Sequence, residues 1–354
     1  MLDVLPPLRS LMPSNDLAKF SCSPPLLDSW WTPQDEVHRN SSRRIFFHSP
    51  LMNLIHRLYH RPSLVCLLFA ASAFTSHARD VFWQGGNSSA GFHAYDNWVD
   101  GIAPGNDSTK ETGDIAVFGS KAFESKATLA GSRSIAGLRF EAMINDDKWM
   151  ISRGSGADHT LRLGSNGIQI PQGDTKVIID CNIGLQGNQR WILAGENSVL
   201  NVEGDVGGPS RLFILGRGSV GFSAALDIGG LAVSGATVET RNIVDAPAME
   251  IVLGDSATLK ISGEGLTAGT LAVKSSARIL LDPSVKTVRF AGSSGKPWEE
   301  GELVIEGFQP GKMNIYFGDT AEALTPEQLG RIRLENSGAG SSLFLSAQGE
   351  LQTQ

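Results

Sequence analysis

The sequence predicts an all-β protein: a parallel β-helix (solenoid) with coils of about 20 residues, an aromatic N-terminal cap and a C-terminal cap that contains one short helix. Three observations support this prediction. Short apolar-alternating runs recur at a nearly constant interval, glycine-containing turns separate them, and nothing between them is long enough for a crossover helix. Paired hairpins would also give short strands, but a constant step is more typical of solenoid coils.

The repeat begins at residue 159 and consists of an alternating run, a Gly or small polar turn, and a second alternating run. Its copies span 159–170, 190–202, 211–222, 231–240, 249–261 and 270–281. In the last five copies, the central apolar residues of the second run are Leu200, Val220, Val238, Leu259 and Ile279. Their spacings are 20, 18, 21 and 20, so we expect strands of 3–5 residues whose central side chains form one column.

A single coil of this kind is unstable by itself. Ordering about 20 residues costs roughly 20–40 kcal/mol of backbone entropy, whereas four or five buried aliphatic side chains return only about 6–15 kcal/mol. Coils stacked about 4.8 Å apart hydrogen-bond to their neighbours and bury a continuous aliphatic column. Both ends of the stack need a cover, because an open end is an exposed sheet edge.

The N-terminal end of the predicted stack is rich in aromatic residues. Phe82 and Trp83 precede two glycines, Tyr95 lies close to Trp98, and Phe118 ends a short apolar run. We interpret these residues as the N-terminal cap.

The C-terminal end contains the clearest helix pattern of the chain, at Leu324–Ile332. Thr325 is the expected N-cap, Pro326 occupies the first helical position, and Gln328 completes a capping box. The residues expected on the buried face of the helix are Leu324, Leu329 and Ile332. A final strand is predicted at Leu343–Leu351.

The first 78 residues differ in composition from the rest of the chain, because they contain none of its 40 glycines. From Met52, a basic stretch, the apolar run Leu64–Phe74 and small residues up to Ala78 form the secretory pattern. We therefore predict a signal peptide at 52–78, cleaved after Ala78, since the apolar run is too short for a transmembrane anchor. Residues 1–51 are predicted to be a spurious or disordered extension.

The remaining chain is predicted to comprise the N-terminal cap and first strands (79–158), the solenoid repeats (159–290) and the C-terminal cap (291–354). Of the 30 basic and 37 acidic residues, 7 and 5 precede residue 79, which leaves 23 against 32 and a charge of -9. This acidity argues against nucleic acid or an anionic membrane surface as the main partner. Only Cys181 remains of the three cysteines, so no intrachain disulfide is expected.

Short motifs in a fixed order carry a resemblance to a known family. They are Trp83–Gly86, Asp96–Trp98, Ala103–Gly105, Asp114–Phe118, Leu161–Ile170, Ile183–Leu185, Gln189–Trp191, Val202–Val206, Leu303–Ile305, Tyr316–Gly318 and Leu324–Leu329. Over most of 81–351, this order resembles bacterial autotransporter-associated β-strand repeat proteins. The resemblance implies export across the inner membrane and a parallel β-helix on, or released from, the cell surface. It supplies no catalytic residues. Many relatives carry a Pro-Glu-Pro sorting motif, an apolar span and a basic tail, which Gln352–Gln354 does not resemble, so we do not expect membrane retention by that route.

The sequence predicts no catalytic residues, no cofactor and no metal site. His93 and His159 lie 66 positions apart and Cys181 is isolated, so no spacing resembles a zinc or haem site. There is no Gly-x-Ser-x-Gly nucleophile elbow. Acidic residues cluster at Asp146-Asp147, at Asp96 with Asp100, and at Glu299-Glu300. No calcium-loop motif accompanies them, so we interpret them as solvated loop acids.

Tryptophan side chains that could stack on sugar rings are Trp83, Trp98, Trp149, Trp191 and Trp298. We expect Trp83 and Trp98 to fill the cap and Trp191 to pack in a coil. Trp298, in the polar segment GKPWEEG, is therefore the candidate ligand-binding residue, and its exposure decides the question.

The expected outward-facing positions are mixed in charge, as Asn201, Glu239, Lys260 and Arg278 show. They form no column of acids or bases of the kind that polysaccharide lyases and hydrolases need. We therefore expect a secreted or cell-surface, non-catalytic scaffold of structural or adhesin-like type. Its expected partner is an extracellular polysaccharide or cell-surface component, with no nucleic acid and no stable membrane span after signal cleavage. The alternative is a polysaccharide-binding or polysaccharide-degrading β-helix protein.

Overall fold

The computed structural model describes residues 78–354, except 87–89, 111, 120–121, 143–147, 156–157, 172, 243 and 336–341. The predicted extension and the predicted signal peptide, up to residue 77, lie outside these described residues. The described residues belong to one compact unit, Thr75–Gln354. Its regular structure is almost entirely β-strand.

Three parallel sheets form the faces of the stack. Sheet A contains β1 (Arg79–Trp83), β2 (Asp114–Phe118), β4 (Arg133–Phe140), β6 (Thr160–Ile170), β8 (Asn182–Leu185), β9 (Gln189–Leu193), β11 (Val206–Gly216), β13 (Leu226–Ser234), β16 (Glu250–Gly254) and β19 (Leu271–Val273). Sheet B contains β3 (Lys126–Leu129), β5 (Lys148–Arg153), β7 (Lys176–Asp180), β10 (Val199–Val202), β12 (Ser219–Phe222), β14 (Thr237–Thr240), β17 (Thr258–Ile261), β20 (Ala277–Leu281), β22 (Leu303–Glu306) and β24 (Ile332–Leu334). Sheet C contains β15 (Val244–Ala246), β18 (Gly265–Ala268), β21 (Thr287–Phe290) and β23 (Asn314–Phe317).

The register of sheet B confirms the predicted column. Successive Cα partners along it are Leu200, Val220, Val238, Leu259 and Ile279. All five side chains are buried. Because these strands are parallel and follow one another along the chain, each coil lies on the preceding one, and the predicted β-solenoid is confirmed. Parallel pairing extends beyond the predicted repeats, from β1 with β2 to β22 with β24.

Most copies of the repeat form one strand of sheet A, a turn and one strand of sheet B. The first copy differs, because its expected turn at 164–167 lies inside β6, a continuous strand of 11 residues. Gly167 has a φ of +56°, and the pairing of β4 with β6 shifts register here. The glycines therefore accommodate a bulge within one strand, which corrects the predicted turn.

Sheet C gives the C-terminal coils a third face that the sequence analysis did not predict. Its strands are only three or four residues long, so their alternation is too short to recognise. Val244, Leu266, Val288 and Ile315 follow one another in register along this sheet, and all are buried. This face extends the same apolar core.

The aromatic N-terminal cap is confirmed. Trp83 and Trp98 lie edge to face with ring centroids 5.0 Å apart, and Phe92 lies 5.0 Å from Trp98. One chain segment covers the first strand of two sheets, because Trp98 bridges to Trp83 on β1 and Gly91 bridges to Thr128 on β3. The cap therefore protects both edges at this end of the stack.

The C-terminal cap contains the predicted helix, α1 (Pro326–Gly330). The side chain of Thr325 accepts from the backbone N–H of Gln328, and Gln328 Oε1 accepts from the backbone N–H of Thr325 at 2.8 Å, which confirms the capping box. Buried Gln328 also donates through Nε2 to the carbonyls of Ser293 and Lys296, at 3.0 and 2.9 Å. The helix thereby anchors the loop that contains Ser293 and Lys296, which lies before β22 in the chain.

The predicted final strand is a hairpin. β25 (Leu343–Leu345) and β26 (Leu351–Thr353) pair antiparallel, because a turn with Gly349 at φ +74° separates them. Gly349 accepts from the backbone N–H of Phe317 at 2.9 Å, so the hairpin covers the last strand of sheet C. No helix in the described part of the chain is long and apolar enough to cross a membrane.

Candidate functional site

Trp298, the candidate ligand-binding residue, lies in the core. It is 9% exposed, and its indole Nε1 donates to the backbone carbonyl of Leu271 at 3.1 Å. The Oγ of buried Ser293 accepts from the backbone N–H of Leu271 at 2.9 Å. Trp298 and Ser293 thus lie at the outer edge of β19, and the buried ring of Trp298 has no free face for stacking on a sugar.

The other tryptophans of the described chain are buried as well. Trp83, Trp98 and Trp149 donate to the backbone carbonyls of Glu124, Phe92 and Glu141, at 2.8, 2.8 and 3.0 Å. Trp191 donates to Gln189 Oε1 at 2.9 Å. The expected placement of Trp83 and Trp98 in the cap, and of Trp191 in a coil, is confirmed.

Five other apolar side chains are exposed at the N-terminal cap, and we call them the N-terminal apolar patch. They are Phe82 (41% exposed), Tyr95 (68%), Val99 (41%), Ile102 (45%) and Phe123 (84%). Two short 3₁₀ helices, Tyr95–Asn97 and Val99–Gly101, position Tyr95 and Val99. The sequence places Phe82 and Tyr95 in the cap but does not predict their exposure.

Strand alternation explains why part of this patch points outward. Trp83 and Trp98 face each other in an antiparallel bridge, with both rings in the core. Phe82 precedes Trp83 in β1, so its side chain points to the opposite face of that strand. Val99 follows Trp98, begins a 3₁₀ helix and is exposed as well. Ile102 follows the turn that begins at Val99.

Gln84 forms hydrogen bonds with the two chain segments that carry Tyr95 and Phe123, the remaining members of the patch. Its backbone carbonyl accepts from the N–H of Phe123 at 2.7 Å, and its Nε2 donates to the carbonyl of Asp96 at 2.9 Å. The backbones of Phe123 and of Asp96, the residue after Tyr95, therefore both contact Gln84, which lies two positions after Phe82. The location of Tyr95 and Phe123 in polar turns is the available sequence signal for exposure.

An ion-pair cluster lies on the outer face of sheet B. Glu239 is 2.8 Å from Lys260 Nζ and 2.9 Å from Arg241 Nε. Burial of Glu239 opposes its ionisation, but the hydrogen bonds from Lys260 and Arg241 outweigh this effect and hold its pKa below the ordinary value. Asn201 belongs to the same outward row, whereas Arg278 belongs to the neighbouring one. The four predicted outward positions therefore do not form a single row.

His93 lies beside a buried arginine in the N-terminal cap. Arg133 donates to the carbonyl of Pro104 and to Asp107 Oδ1, both at 2.8 Å. His93 Nε2 lies 3.6 Å from the same Asp107 oxygen. Burial lowers the pKa of His93, the Arg133 charge lowers it further, and Asp107 opposes both. His159 acts in the same direction as Arg133, so the fold brings the two distant histidines within electrostatic reach.

Acidic side chains and the free thiol are the remaining candidates for metal-binding or nucleophilic chemistry among the described residues. In this part of the chain, no group of three or more His, Cys, Asp or Glu side chains could hold a metal ion. Of the predicted acidic clusters, Asp146-Asp147 lies outside it, and Glu299 pairs with Lys274. Burial raises the pKa of the Cys181 thiol to about 12, which keeps the thiol protonated near neutral pH.

A groove of about 650 Å³ lies at the C-terminal cap. Its apolar lining includes Leu324, Pro326, Leu329 and Leu343. Glu322 is the one acid among its described lining residues, whereas glycosidase chemistry uses a pair of carboxyl groups. The groove therefore offers apolar contact surface.

Registers, core and caps together define the class of this protein as a parallel β-solenoid with covered ends. Comparison with protein-family models, with curated proteins and with solved structures finds no match. The assignment to this class therefore depends on the strand pairing of the chain itself.

Proposed function

We propose that this chain is a secreted or cell-surface β-solenoid that acts as a non-catalytic, structural or adhesin-like scaffold. It belongs, in this proposal, to the bacterial autotransporter-associated β-strand repeat proteins that its motifs resemble. A signal peptide at 52–78, cleaved after Ala78, directs its export. The observation that carries the proposal is the in-register column from Leu200 to Ile279.

Such a column supports a scaffold because it makes the stack rigid. One hydrophobic cluster runs continuously from Val81 to Leu351. Ion pairs also join coils on the outside: Arg278 on β20 pairs with Glu306 on the neighbouring β22, and Arg139 on β4 reaches across β2 to Asp80 on β1. This rigidity arises with Cys181 as a free thiol, so burial and strand pairing supply the stability.

Export is tested by expressing the full-length sequence in a Gram-negative host and sequencing the N-terminus of the exported protein. The proposal predicts a new N-terminus at Arg79. The variant Ala78→Lys removes the small residue before the cleavage site and is expected to leave the protein unprocessed. Accumulation of soluble, uncleaved wild-type protein in the cytoplasm would contradict export.

The scaffold role is tested with the processed protein in a polysaccharide-degradation screen combined with a glycan array. We expect no release of sugar from any polysaccharide. Binding without release supports an adhesin-like role, whereas release that depends on this protein would show that the catalytic alternative is correct.

A further inference from the structure

The exposed area of the N-terminal apolar patch matches that of the largest apolar patches on soluble monomers. Taking 150–250 Å² for a whole aromatic side chain, the exposed fractions of its members amount to roughly 500 Å² of apolar surface. The largest apolar patch of a typical soluble monomer is about 300–600 Å², and such patches often bind a partner. The patch therefore has the size of an interaction surface.

We propose that the N-terminal apolar patch is a homodimer interface that binds the same patch on a second copy of this chain. The apolar side chains of such a surface are complementary to a copy of themselves, as a twofold-symmetric contact requires. Two copies together would bury roughly 1,000 Å² of side-chain surface, which is the size at which specific protein interfaces begin. Neighbouring backbone and polar atoms add to this area.

The charges next to the patch permit this contact. Arg79 and Asp80 precede Phe82, and they pair with Asp114 on β2 and with Arg139 on β4, respectively. A partner that approaches Phe82 therefore does not bury an unpaired charge there. Asp96 and Asp100 are exposed directly after Tyr95 and Val99, so repulsion between the acidic residues of two copies predicts tighter association at higher salt.

The composition of the patch favours a protein over a sugar chain. Flat aromatic rings stack on sugars, but Val99 and Ile102 are branched aliphatic residues without a ring face. A mixed aromatic and aliphatic surface instead resembles the apolar centre of a protein interface.

Sedimentation velocity and light scattering of the protein, expressed from the full-length sequence and processed by the host, test this proposal. We expect a dimer in equilibrium with the monomer at about 10–100 µM chain. The double variant Tyr95→Ser, Phe123→Ser is expected to weaken dimerisation by about tenfold or more, since it removes the two most exposed rings. Phe344→Ser, at the C-terminal cap, is the matched control and is expected to leave dimerisation unchanged.

Three results would overturn the proposal: a wild-type protein that stays monomeric over this concentration range, a double variant that dimerises like wild type, or an equal loss in the Phe344→Ser control. If the wild-type protein is monomeric and binds a glycan that the double variant does not bind, the ligand of the patch is a sugar and the proposal is wrong. Circular dichroism and the unfolding midpoint of each variant show whether the fold is retained.

Discussion

Trp298 donates a hydrogen bond of 3.1 Å from its indole Nε1 to the backbone carbonyl of Leu271. This bond takes the place of a backbone donor at Leu271, whereas Val273 on the same strand accepts from the backbone N–H of Glu299 at 2.8 Å. Ser293 Oγ accepts from the N–H of Leu271, and Gln328 in turn binds the carbonyl of Ser293. A ring, a hydroxyl and a helix side chain therefore cover the end of sheet A.

Replacing Trp298 by Phe keeps a ring and removes the donor. The buried carbonyl of Leu271 then loses its partner, so we expect the free energy of unfolding to fall by about 1–3 kcal/mol. Urea unfolding measures the change. Phe344→Leu, at an exposed position of the same cap, is the control and is expected to change stability by less than about 0.5 kcal/mol. Equal stability of Trp298→Phe and wild type would show that this bond is dispensable.

Sheet B has a second buried column of side chains, which includes Phe222 and Ile261, and Thr240 is a polar residue within it. It lies in register between Phe222 and Ile261 and is buried, and its Oγ1 has no hydrogen-bond partner among the described residues. Thr240→Val removes the hydroxyl at nearly constant shape, so we expect thermal unfolding to show a gain of about 1–3 kcal/mol. Thr237→Val, on the outward side of the same strand, is the control and should change stability little. A loss of stability in Thr240→Val would reveal a partner for the hydroxyl.

Gly105 allows the cap to approach β4. It has a φ of +75°, and a Cβ at this position would collide with the carbonyl oxygen of Ser134. Gly101 also has a positive φ, +64°, but a Cβ there would meet open space. We therefore expect Gly101→Ala to cost about 1–2 kcal/mol from its backbone conformation alone, and Gly105→Ala to cost clearly more in the same urea titration. Equal costs would contradict the close approach.

Acid is expected to destabilise the N-terminal cap through His93. The folded-state pKa of His93 lies below its ordinary value of 6.5 because of burial and the Arg133 charge. Below pH 6.5 the unfolded chain therefore binds the proton first, and stability falls with decreasing pH until the folded-state pKa is reached. Unfolding midpoints between about pH 7 and pH 5 measure this loss. His93→Gln should make that slope shallower, and an unchanged slope would exclude His93 as its source.

The column was predictable from the sequence because stacking brings residues that lie one coil apart in the chain into contact. Leu200 and Val220 are adjacent in space because they lie one coil apart. The turn predicted at 164–167 was wrong. Its Gly-Ser-Asn-Gly sequence favours a turn, but β6 remains one strand because it pairs first with β8 and then with β9. Local preference gave way to long-range pairing there.

The surface was harder to predict than the core. Trp298 has polar neighbours that suggest exposure, but its hydrogen-bond acceptor lies 27 positions earlier in the chain. The cap was recognisable from its aromatic residues, yet which of them point outward depends on the bridge between Trp83 and Trp98. Neither relationship has a short-range signal.

The stacking of successive coils is tested most directly by methyl NOEs in protein labelled at Ile, Leu and Val. The account predicts contacts from Val238 to Val220 and to Leu259, its two neighbours in register. It predicts none to Leu200 or Ile279, which lie two coils away at about 10 Å. The absence of NOEs from Val238 to both neighbours, together with short Hα–Hα contacts between these strands, would mean antiparallel hairpins and would contradict the solenoid.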